Sequence, residues 1–171
     1  MKYARQWAMP NKNTFEIAPI RSLIGRYLTG VSVDPFARNG KLATITNDLN
    51  TNTTAEYHMQ ATEFLHMLSD RGVMADVVLL DPPYSPRQIS ECYKDAGITC
   101  GMTDTQNSVL YANVRKAVRK ISKTGTIVMS FGWNSCGMGK HFEMLELLLV
   151  AHGGAHNDTI CLVEQQLPSL V

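Results

Sequence analysis

Val77-Val78-Leu79-Leu80 is an unbroken apolar run that ends at once in Asp81-Pro82-Pro83-Tyr84. A run without polar alternation is buried on both faces, as in the central strand of a parallel sheet. Two prolines cannot extend a hydrogen-bonded ladder, and they stiffen the turn that follows. The strand therefore stops at a rigid bend that offers a carboxylate, a freed backbone carbonyl and an aromatic ring. Two acceptors beside a flat ring suit a planar amine.

The rest of the chain is predicted to alternate strands with helices around that bend. Residues 13–28 read as helical in their later part, with Ile20, Leu23, Ile24 and Leu28 at helical spacing before Gly30. Strands are expected over 31–34 and 43–47, too close together for a crossover helix of normal length. Residues 54–58 suggest a turn of helix with a very short strand at 57–59. Helices are expected over 61–68, 86–96 and 106–121, and strands over 76–80 and 125–131. The nearly all-apolar 144–150 suits a helix as well, but a hairpin of 147–151 and 159–165 about Gly153 to Asp158 is preferred. This is the pattern of a three-layer α/β sandwich with a mixed sheet.

With 171 residues, no repeats and no linker-like tract, one domain spans 1–171. No apolar run is long enough for a membrane span, and Met1 to Trp7 lacks a signal core, so a cytoplasmic protein is expected. The four cysteines show no metal-ligand spacing and read as reduced thiols. A net charge of +1 neither favours nor disfavours nucleic acid, so any basic surface is local. The local candidate is Arg115, Arg119 and Lys123 with Lys116 and Lys120, read on one helix either as a phosphate-binding stripe or as a solvated face. Val114, Val118 and Ile121 would face the core.

Ligands of open parallel sheets bind beyond the carboxyl ends of the strands. Asp34, Asp48 and Asp81 fall at such ends. Three carboxylates would suit a divalent cation, yet each is followed by a stiff or apolar element rather than by further oxygen ligands, so no metal is expected. Asp48 suits the hydroxyls of a ribose, while the loop from Asp34 to Gly40 passes under the remainder of a nucleoside ligand. A single glycine there argues against a pyrophosphate cradle, and an aspartate at the loop's head suits a cationic tail such as that of S-adenosylmethionine.

In three blocks the chain resembles the S-adenosylmethionine-dependent amino-methyltransferases that act on N6 of adenine in DNA. These are Asn13-Thr14-Phe15-Glu16-Ile17, Val33-Asp34-Pro35-Phe36 followed by Gly40, and the intact Asp81-Pro82-Pro83-Tyr84. The resemblance implies a Rossmann-like class I methyltransferase fold, a mostly parallel sheet with a C-terminal antiparallel hairpin. It implies Asp81, Pro82, Pro83 and Tyr84 as the catalytic set. It implies Thr14, Phe15, Asp34, Pro35, Phe36, Asp48, Gln60 and Ala61 around S-adenosylmethionine, and Tyr84, Arg87 and Trp133 toward the substrate. The implied partner is DNA, with RNA or single strands, or a non-catalytic subunit of a methyltransferase complex, as alternatives; a homodimer or partner subunit fits a chain without its own target-recognition region. Arg38 stands where the family has glycine, and Gln60 where it often has aspartate.

Overall fold

The computed structural model of the protein describes residues 1–98 and 107–168; Cys100 and Gln106, both part of the expectations above, lie outside them. Strand β1 (Lys2–Trp7) leads through a 3-10 turn (Thr14–Glu16) into helix α1 (Ala18–Tyr27). Next come β2 (Ser32–Asp34), β3 (Ile45–Thr46), α2 (Ala61–Asp70) and β4 (Ala75–Leu80). The second half holds α3 (Pro86–Asp95), α4 (Asn107–Lys120), β5 (Ser122–Gly132), β6 (Phe142–Ala151) and β7 (Thr159–Gln166).

The seven strands of the described residues form one sheet, in the order β1-β6-β7-β5-β4-β2-β3. Only β7 runs antiparallel to its neighbours, β5 and β6; every other pairing is parallel. The expected Rossmann-like sandwich with a C-terminal hairpin is therefore the fold observed. From β2 the chain moves outward to β3, then returns to lay β4 on the other side of β2. The order reverses between β2 and β4, and their carboxyl ends open on one crevice.

Apolar side chains cover both faces. Phe64, Leu65 and Leu68 of α2 and Val114, Ala117 and Val118 of α4 bury Val33, Val78, Leu80 and Val128 on one side. On the other, Ile20, Leu23 and Ile24 of α1 pack against Val77, Leu79, Met129, Leu148, Val150 and Val163. Successive residues of β4 thus serve opposite cores, which is why its sequence shows no polar alternation. Gly30, at φ +55°, turns α1 into β2; a Cβ there would lie 2.1 Å from Asp76 Oδ2, which accepts the Val31 amide.

Three expectations need correction, and one strand was not expected. Residues 54–58 form no helical turn, only a single parallel bridge from Tyr57 to Asn47. Strand β1 had no sequence signal, because an exposed edge strand, here Lys-Tyr-Ala-Arg-Gln-Trp, has little to alternate. The hairpin strand β6 begins at Phe142, well before the expected 147, and β5 begins at Ser122. The basic stripe is broken: α4 ends at Lys120, and Lys123 lies on β5, ion-paired with Asp76 at 2.7 Å. Arg115 and Arg119 donate to the carbonyls of Gly137 and Met138, so they fasten the β5–β6 connection. Val114, Val118 and Ile121 are buried as expected. Among the described cysteines, Cys92, Cys136 and Cys161 are free thiols.

Candidate active site

The crevice between β2 and β4 widens into an open cavity of about 560 Å³. Its walls carry Thr14, Pro35, Phe36, Asp48, Gln60, Ala61, Asp81, Pro82, Pro83 and Tyr84. Ten of the sequence-derived candidates thus meet at one place, although they come from five separate stretches of chain.

Local folding explains each position. Strand β2 ends at Asp34, whose Oδ1 accepts the Phe36 amide at 3.0 Å, and this short-range bond turns the chain beneath the crevice. Asp34 itself is buried. Burial drives its carboxyl up to about 8; the Phe36 amide opposes this, and the charges of Asp81 and Asp48 add to it. Asp48 follows β3. Its Oδ2 accepts the Arg38 amide at 3.1 Å and its Oδ1 the Asn50 amide at 2.9 Å, which fixes the carboxylate and leaves it lone pairs for a ligand. Gln60 precedes the first turn of α2, with Ala61 opening the helix. The Gln60 amide oxygen already accepts the Tyr93 hydroxyl at 3.1 Å.

Asp81 leaves β4 at the bend. The hydroxyl of Tyr84 donates to Asp81 Oδ1. Burial raises the Asp81 pKa above the usual carboxylate range; hydrogen bonds from Tyr84 and Thr14 and the charge of Arg38 pull it back. The Tyr84 phenol is pushed far above its ordinary value by burial first and by the Asp81 charge second. Its ring lies 5.3 Å from that of Trp133, centroid to centroid, tilted by 53°. Trp133 stands at the rim, 42% exposed.

Four candidates lie off the cavity wall: Asp34, buried behind it, exposed Trp133, Phe15 and Arg87. Phe15 packs edge-on against Phe131, with centroids 4.9 Å apart, and so supports Thr14 from the core side. Arg87 is exposed on α3 and paired with Glu91 at 2.8 Å.

Several neighbours were not singled out from the sequence. Asn47, fully buried, donates from Nδ2 to the carbonyls of Pro35 and Met59 and accepts the Met59 amide at Oδ1. It ties the loop after β2 to the approach of α2, a role that a lone asparagine at a strand end does not advertise. Lys12, Cys92 and Tyr93 join the cavity wall, as does Arg38, which the sequence marks as a departure from the family pattern. Burial raises the Tyr111 phenol to about 12, with the Asp81 charge as the second cause. Tyr111 shares a smaller pocket with Pro82, Arg115 and Asn134 on the other side of the bend.

No family model matches the chain, and no curated protein matches it. Among solved structures it is similar to a SAM-dependent methyltransferase from Agrobacterium tumefaciens, at 10% identity and a TM-score of 0.49. That match covers 85% of this chain and 59% of the other, so the chain spans less than two thirds of that protein. A likeness of this degree concerns chain path alone.

Proposed function

We propose that the chain is an S-adenosylmethionine-dependent methyltransferase acting on N6 of adenine in DNA. One observation carries the reading: the Asp81–Pro82 bend lies at the strand-order reversal, on the wall of a cavity whose other side holds Asp48. A cavity of about 560 Å³ falls within the range of nucleoside-sized ligand sites.

The residues present fit S-adenosylmethionine on chemical grounds. The charges of Asp81 and Asp48 add to the cost of ionising Asp34, and a cationic ligand relieves it. Asp48 keeps acceptor capacity for ribose hydroxyls. Asp48, Thr14 and Gln60 would surround the ligand, with Pro35, Phe36 and Ala61 as its apolar bed and Asp34 buried behind the loop. When bound, S-adenosylmethionine supplies an electrophilic methyl carbon whose bond to sulfur breaks with the electron pair left on sulfur.

The chain's own work is to make a poor nucleophile attack. An exocyclic adenine nitrogen shares its lone pair with the ring. Asp81 has roughly four lone-pair sites; the hydroxyls of Tyr84 and Thr14 orient it, and it still accepts one N–H of the amine. The Pro82 carbonyl accepts the other. Held by two acceptors, the nitrogen is drawn toward tetrahedral geometry and its lone pair is aimed in line, which is catalysis by orientation. Asp81, a stronger base than an ordinary aspartate because it is desolvated, takes the proton that the nitrogen sheds. Tyr84 and Trp133 form an aromatic wall on which a base stacks. A base in a duplex has to be flipped out of its stack to arrive there, which costs a few kcal/mol.

The test is incubation with labelled S-adenosylmethionine and, separately, duplex DNA, single-stranded DNA and RNA, followed by mass spectrometry of the nucleosides. N6-methyladenine from DNA is expected. The Asp81→Ala variant should lose roughly 10²- to 10⁴-fold in rate while binding the donor nearly as well as the parent. Product from RNA alone would move the substrate class, and undiminished transfer by Asp81→Ala would overturn the mechanism.

A further inference from the structure

Arg38 is the only non-glycine residue among those described with a positive φ, +53°. That backbone conformation costs an L-residue energy which glycine does not incur, and such outliers gather where a side chain is needed in place. Its position is fixed at both ends. The backbone amide donates to Asp48 Oδ2 at 3.1 Å, and Nη1 donates to the carbonyl of Lys12 at 3.2 Å. Its positive charge reaches both Asp81 and Cys92. The guanidinium thus lies on the cavity wall between the Asp48 side and the Asp81 side, with Lys12 beside it.

A cavity rich in carboxylates repels anions, so a cation held at this spot offers a favourable place for an anionic group. A planar fork of donors matches a carboxylate in paired fashion. We infer that Arg38 is a specificity-determining residue that receives the carboxylate of the ligand's amino-acid tail, and so selects an adenosine bearing an α-amino acid over one without. This rests on the reading above of a nucleoside ligand in this cavity.

Calorimetric titration of the full chain with S-adenosylhomocysteine and with 5′-methylthioadenosine, which lacks the amino-acid tail, tests it. The parent should prefer the first ligand by roughly tenfold to a hundredfold, the worth of one charge-assisted pair. Glycine suits the φ of this position, so Arg38→Gly should keep its melting temperature. It should lose most of that preference while its affinity for 5′-methylthioadenosine stays within about twofold of the parent's. Arg38→Lys should keep part of the preference. An undiminished preference in Arg38→Gly would overturn the inference and leave the cofactor reading intact. Failure of the parent to bind either nucleoside would overturn both.

Discussion

Asp34 shows how much a single residue's surroundings add to its type. The sequence marks it as a carboxylate at a strand end; only the fold reveals that it is buried under its own loop, with its carboxyl raised from an ordinary 3.8 to about 8. Between those values the folded chain holds a proton that the unfolded chain releases. Stability therefore falls as pH rises through that window and levels off above it. Asn at this position keeps an acceptor for the Phe36 amide and has nothing to ionise. Asp34→Asn should flatten the dependence of melting temperature on pH between about 4 and 8, and should stabilise the ligand-free chain at pH 8 by on the order of a few kcal/mol. Thermal melts across that range check it; parallel curves for parent and variant would contradict it. Asp81, Pro82 and Tyr84 were legible because the motif is local and rigid. Asn47 was not, because its three hydrogen bonds reach Pro35 and Met59, each a dozen residues away.

At the scale of elements, the connection from β5 to β6 is held by side chains rather than by a helix. Both oxygens of buried Glu164 on β7 accept the Met138 amide, at 3.1 and 2.9 Å. Arg115 and Arg119 of α4 grip the neighbouring carbonyls. A Cβ on Gly137 would stand 2.2 Å from Glu164 Oε1, so only glycine lets the loop pass this close. Gly137→Ala should destabilise the protein by about 1–3 kcal/mol and disturb Trp133 and Asn134, which leave β5 just before it. Urea unfolding, with tryptophan fluorescence as the second probe, reads both effects; an unchanged midpoint would contradict this picture of the loop. The sequence identified α4 to within a residue of its end but carried the basic stripe on to Lys123, which lies on β5. A run of basic residues keeps helical spacing past Lys120, whereas the tertiary pairing of Ser122 with Ala75 pulls the chain into a strand.

For the whole molecule, strand type and sequence order were largely legible, and spatial order was not. Periodicity and length distinguish helix from strand, so β4 with its bend, α1, α2 and the terminal hairpin emerge from residues alone. Edge strand β1 is polar and exposed, and it pairs with β6, far from it in sequence, through backbone bonds that carry no residue signature. The reversal of strand order between β2 and β4 is likewise a property of pairing, yet it is what brings Asp34, Asp48 and Asp81 to one crevice. Everything functional follows from that convergence. A crystal structure of the chain with S-adenosylhomocysteine tests it most directly. The sulfur is expected beside the Asp81–Tyr84 bend, the ribose on Asp48 and the carboxylate on Arg38. Ligand seated outside this crevice, or an Asp81 side chain turned away from the sulfur into solvent, would contradict it.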